Sequence, residues 1–170
     1  MAWRALIESC PDVKVSLNVS NYIDCGLLSP HIPLVSITVR FNGQSKTGDQ
    51  FSLDNIATLY RHTLEELHIG HYKMEGNLTE EFLAQLESFE RLRTFSMSMT
   101  IKTKQNIMFL RSFKEIVKNQ NNLRDVTIKY HGRRTINSGV LREMDSLKED
   151  LKEFVDRGLV LKFILPTRDE

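Results

Sequence analysis

Only two cysteines, Cys10 and Cys25, occur in 170 residues. That is too few for a disulfide framework, and both read as small buried thiols of a reducing compartment. No apolar run approaches the roughly 20 residues that span a bilayer. No signal-peptide h-region follows Met1, so a cytoplasmic or nuclear location is expected, without membrane contact. Charge of one sign is lacking too: 23 basic and 22 acidic residues leave a formal net charge of +1. A nucleic-acid partner is not expected, because general polyanion binders carry a marked basic excess. The eight glycines are scattered and form no phosphate-cradling loop. His68 and His71 have no cysteine or carboxylate at ligand spacing, and in a strand they would point to opposite faces. No serine, cysteine or lysine stands in a recognisable nucleophile setting. Neither enzymatic activity, nor a metal, nor a cofactor is expected.

What the chain does have is a period. Leu64, Leu67 and Ile69 are spaced L-x-x-L-x-L, and the spacing recurs at Leu34, Ile37 and Val39. It recurs again at Leu92, Phe95 and Met97, and at Leu123, Val126 and Ile128. First positions lie roughly 28 to 31 residues apart, and all copies but one follow a helical pattern. The pattern predicts an α/β leucine-rich-repeat solenoid: right-handed, with parallel strands on the concave face and helices on the convex face. Strands are expected near 13–19, 34–41, 64–70, 92–98, 123–129 and 159–165. No linker or low-complexity tract interrupts them, so residues 1–170 read as a single domain.

Between the strands the helices announce themselves by capping and periodicity. Residues 2–10 place Trp3, Leu6, Ile7 and Cys10 on one helical face, which Pro11 terminates. Asn42 and Gly43 open a polar loop. Ser52 reads as an N-cap with Phe51 and Ile56 as its hydrophobic staple; Thr79, flanked by Leu78 and Leu83, repeats the device. Phe82, Leu83, Leu86 and Phe89 form the next inward stripe. Phe109, Leu110, Phe113, Ile116 and Val117 form the clearest one. Ser138 is expected to cap the longest helix, to about Arg157, with Leu141, Met144, Leu147, Leu151, Phe154 and Val155 inward. Gly158 suits its C′ position.

Residues between the apolar strand positions point away from the helices. Stacked, they give three columns. The first holds Lys14, Ser36, Glu66, Thr94 and Asp125. The second holds Ser16, Thr38, His68, Ser96 and Thr127, and the third Asn18, Arg40, Gly70, Ser98 and Lys129. These columns, from Ser36 onward and without Gly70, are the expected partner-binding surface of such an architecture, although any one of them also reads as a solvated strand residue. Charge is uneven along the chain. Glu65, Glu66, Glu75, Glu80, Glu81, Glu87 and Glu90 make the middle acidic. Lys102, Lys104, Arg111, Lys114, Lys118, Arg124, Lys129, Arg133 and Arg134 make the next repeat basic, which would steer a polar partner or merely solvate a helix. A loop holding Tyr130, His131, Arg133 and Arg134 is a secondary candidate, a clamp for an acidic or phosphorylated segment.

Trp3, Leu6, Cys10, Pro11 and the strand from Val13, with Ile32-Pro33-Leu34 ahead of the next strand, resemble the leucine-rich region of metazoan F-box proteins. The resemblance covers most of the chain. It implies a non-catalytic protein-protein interaction module, the substrate-recognition part of an SCF-type (cullin-RING) ubiquitin ligase. The F-box that binds the ligase adaptor has no counterpart here, so adaptor binding transfers to no residue. A cullin-RING partner is expected only where a longer form supplies an F-box. The alternative is a leucine-rich-repeat scaffold or regulator unconnected with ubiquitin. Either way the expected partner is a protein, as substrate or regulator.

Overall fold

The computed structural model describes residues 5, 8–10, 12–20, 28–40, 53–72, 78–100, 103–131 and 136–166. Six strands form, with apolar and polar residues alternating through most of their length except in β6: β1 (Val15–Ser20), β2 (Leu34–Arg40), β3 (Glu66–Tyr72), β4 (Thr94–Thr100), β5 (Asp125–His131) and β6 (Val160–Ile164). They form one sheet in the order β1-β2-β3-β4-β5-β6, and every pair is parallel. The helices with bounds inside the described residues are α1 (Asp54–Tyr60), α2 (Leu78–Glu87), α3 (Thr103–Asn119), α4 (Ser138–Asp150) and α5 (Lys152–Asp156). A crossover between parallel strands is right-handed in nearly all proteins. When spatial order equals chain order, that rule puts every crossover helix on the same side of the sheet.

Packing agrees with it. Ile37 and Val39, Leu67 and Ile69, Phe95 and Met97, and Val126 and Ile128 share one core with Ile56, Phe82, Leu86, Phe109, Phe113 and Met144 of the helices. The expected α3 stripe is fully realised. Phe113 stacks on Phe109 with ring centroids 5.3 Å apart and meets Phe95 of β4 at 5.6 Å. Successive steps of the chain are also tied by the backbone. Glu65 N donates to Val35 O, Arg93 N to Glu65 O and Arg124 N to Arg93 O, each at 2.8 Å, and Val160 N to Arg124 O at 2.7 Å. At the far end of α2, Gln120 Nε2 donates to the carbonyls of Leu86 and Glu87, and Asn122 Nδ2 to that of Glu90. The orphan carbonyls of one helix end are thus satisfied by amides one step later.

Several expectations need correction. The strands near 64–70, 92–98 and 123–129 begin and end two residues later than expected. Leu64, Leu92 and Leu123 precede their strands yet are buried. Residues three apart in a regular strand face opposite sides, so these three leucines reach the core from the bend before the strand, whereas Leu34 does so within β2 beside the register shift. The first column is also misaligned: Ser16, not Lys14, lies beside Ser36, and Asn18 lies beside Thr38. Leu34 and Ile37 have two residues between them, whereas Val15 and Leu17 have one. The register shift between Val15 and Ser16 absorbs the surplus as a bulge.

Helix ends differ too. Leu53, not Ser52, holds the cap position of α1; it is buried, and its hydrocarbon side chain offers no acceptor for a cap bond. Ser52 and Phe51 lie outside the described residues. Thr79 lies inside α2, which starts at Leu78. Asn137 rather than Ser138 caps α4, its Oδ1 accepting from Gly139 N at 2.7 Å. The expected long helix breaks at Leu151, leaving α3, at 17 residues, the longest. Leu141 and Val155 are exposed rather than inward. Gly158 adopts the left-handed backbone expected of it, with φ +102°. Cys10 is exposed, not buried; Cys25 and the expected first-helix residues Trp3, Leu6 and Ile7 lie outside the described residues.

Candidate functional site

Parallel sheets are usually covered on both faces and read as continuous apolar runs. Here only one face carries the core. The other presents Ser36, Thr38, His68, Thr94, Ser96, Ser98, Asp125, Thr127 and Lys129, all half-exposed, with Arg40 and Glu66 more open. Register sets them in rows across the strands. One row runs Ser16, Ser36, Glu66, Thr94, Asp125 and Val160. The next runs Asn18, Thr38, His68, Ser96, Thr127 and Lys162. The third is interrupted: Arg40 lies beside Gly70, and Ser98 beside Lys129, but the register shifts between β3 and β4 after Ile69. A Cβ at Gly70 would stand 3.6 Å from Arg40 Cγ, an ordinary van der Waals contact that a side chain could make.

The centre of the face is wired together. Ser36 Oγ donates to Glu66 Oε2 at 2.9 Å, and that oxygen lies 3.8 Å from His68 Nε2. His68 Nδ1 and Ser96 Oγ are hydrogen bonded at 2.7 Å, the donor set by the ring tautomer. One chain of polar contacts therefore crosses β2, β3 and β4. It fixes the orientation of the imidazole and engages both serine hydroxyls within the face. Lys14, displaced from the first column, instead reaches Glu65 Oε1 at 3.9 Å on the strand's approach.

Of the secondary candidate loop, Tyr130 belongs to β5 and points into the core, 1% exposed, so it cannot touch a partner. Among the described residues its hydroxyl has no hydrogen-bond partner, and burial pushes its pKa well above the usual tyrosine value. His131 is half-buried at the end of the strand. Arg133 and Arg134 lie outside the described residues. The basic stretch is also less available than its sequence implies. Arg111 forks onto Glu143 of α4 at 2.9 and 3.0 Å, and Lys114 reaches Asp150 at 3.0 Å. The hydrogen bond and charge of Glu143 hold the Arg111 pKa above its ordinary value, and Asp150 does the same for Lys114. These cations join α3 to α4 rather than steer a ligand. The sequence reading also missed the rim supplied by β6. There Val160 and Ile164, apolar on the polar face, are exposed. The signal was present, since both parities of VLKFI are apolar.

Among the described residues no group of histidine, cysteine and carboxylate side chains is placed to hold a metal, and no helix is long and apolar enough to cross a membrane. Comparison with family models, with curated proteins and with solved structures finds no match for this chain.

Proposed function

We propose that the chain is a non-catalytic protein-interaction module, a leucine-rich-repeat solenoid that receives a protein partner on its polar strand face. The observation that carries this reading is the uncovered face itself, an open set of half-exposed Ser, Thr, His and charged residues on an all-parallel sheet. The repeat period supports the solenoid: hydrogen bonds between equivalent positions, such as Ser36–Glu66 and His68–Ser96, join residues 30 and 28 apart. Small hydroxyl side chains flanked by fixed charges suit recognition of a partner's polar groups, because their orientation is set before binding. The Ser96–His68–Glu66 sequence of contacts has the composition of a hydrolytic triad. Acyl transfer would also need amide donors aimed at an oxyanion, and strand amides lie in the plane of the sheet, engaged in its ladder. That favours binding over chemistry.

Within this reading, the resemblance of the opening segments to F-box proteins makes the module the substrate-recruiting part of an SCF-type ubiquitin ligase, linked to cullin-RING machinery through a longer form. The experiment compares affinity capture by the native chain and by an Arg40→Glu, His68→Ala, Lys129→Glu variant with an unchanged melting curve. Loss of a captured protein from the variant is the expected result. Retention of every partner would place binding elsewhere. Co-capture of cullin-RING subunits by a longer form carrying an F-box, and by no form without it, separates the ligase reading from a scaffold unconnected with ubiquitin.

A further inference from the structure

We propose that the outer edge of β6 is a second docking site, which takes an extended acidic segment of another protein as an added strand. It rests on the strand's outer edge and the helix side beside it; Lys162, at the end of one polar row, is the residue the two surfaces share, and the proposal stands without the other rows. Among the described residues, β6 pairs with β5 alone. Val160 N donates to Arg124 O, so the backbone groups of Val160, Lys162 and Ile164 turn toward β5. Alternate residues of a parallel strand turn the other way, which leaves the N–H and C=O of Leu161 and Phe163 on the outer edge. Their side chains are also only partly covered, whereas their neighbours in register, Val126 and Ile128, are fully buried.

An open groove of about 650 Å³ adjoins this edge. Val155, Leu159 and Leu161 give it an apolar floor; Lys148, Lys152 and Lys162 wall it, and no carboxylate lines it. Asp145 lies 3.4 Å from the Lys148 ammonium, which also sits 5.6 Å above the Phe163 ring. A strand edge unpaired among the described residues, an apolar floor and a cationic wall together fit an extended segment alternating apolar and acidic residues. Its backbone would pair with Leu161 and Phe163, its apolar side chains would cover the floor, and its carboxylates would meet the lysines. A second copy of this chain does not fit edge to edge, because the pairing would bring two sets of three lysines together. Lysines on an edge strand also serve simply to discourage pairing, and the test separates the two roles.

The test titrates the whole chain against a short fluorescent peptide alternating Glu and Val, with a Lys/Val peptide as control, while amide exchange is followed residue by residue. The acidic peptide is expected to bind and to slow exchange at Leu161 and Phe163. In a Lys148→Glu, Lys152→Glu, Lys162→Glu variant its affinity should fall roughly tenfold or more while the Lys/Val peptide gains. If that variant melts early, the three Lys→Gln changes replace it, with loss of the acidic peptide still expected. The proposal is overturned if neither peptide binds, if both bind alike, or if the charge-altered variant keeps its affinity. Protection confined to the polar face, or slowed exchange at Leu161 and Phe163 through self-association without peptide, overturns it equally.

Discussion

Two buried tyrosines carry opposite hydrogen-bond accounts. Tyr60 Oη accepts from Ser29 N at 3.1 Å and donates to Ser29 O at 2.9 Å, whereas Tyr130 Oη has no partner among the described residues. Tyr60→Phe orphans two backbone groups and should cost about 1–3 kcal/mol, while Tyr130→Phe should be neutral or stabilising by up to about 1 kcal/mol, both read from urea midpoints. The pH dependence follows. Burial holds the Tyr130 pKa above its ordinary value of 10.0, so the folded state keeps a proton that the unfolded chain releases. Stability is therefore whole below pH 10.0 and falls as pH rises beyond it. Tyr130→Phe should remove that share of the alkaline loss. Asn106 resembles Tyr130: fully buried, with both amide atoms unpartnered among the described residues. Asn106→Leu, close in size, should stabilise by about 1 kcal/mol in the same assay. None of this was legible in the sequence. Tyr130 reads as a loop residue because nothing local marks where β5 ends, and an asparagine's missing partner is a property of its surroundings.

Elements were more legible where one periodicity ran uninterrupted. The α3 stripe from Phe109 to Val117 shows its inward face directly, since side chains four apart lie one above the other. Phe113→Ala, which opens the contact with both Phe109 and Phe95, should cost about 3–5 kcal/mol by chemical denaturation. The stretch from Ser138 to Asp156 was less legible. Its apolar spacing runs on through Leu151, where neither proline nor glycine warns of the break, and the helix restarts at Lys152. Gly158, after α5, was readable because the turn into β6 needs a backbone that other residues resist. No atom lies within 4 Å of where its Cβ would be, so Gly158→Ala isolates the backbone cost. That cost should be about 1–3 kcal/mol, with Gly158→Asn losing less, as differential melting would show.

Across the whole molecule each strand bonds only to the strands before and after it in the chain. The middle strands have neighbours on both sides and fully buried inner residues, while Leu17, Val19, Leu161 and Phe163 at the two ends are only partly covered. Native-state amide exchange should therefore rank β3, β4 and β5 as the slowest, with β1 and β6 opening first. The polar rows were largely legible at this scale from β2 onward, because one spacing governed all four copies. They were misread at β1, whose missing residue between Val15 and Leu17 hides the bulge, and at the β3–β4 shift, which no composition marks. The unbroken sequential order has a mechanical consequence. Held at β1 and at β6, the sheet is loaded along its hydrogen bonds rather than along its strands. Rows of bonds would then open in succession instead of failing together in shear. Single-molecule pulling should show a staircase of low-force releases, each lengthening the chain by about one strand and its connection, rather than a single rupture.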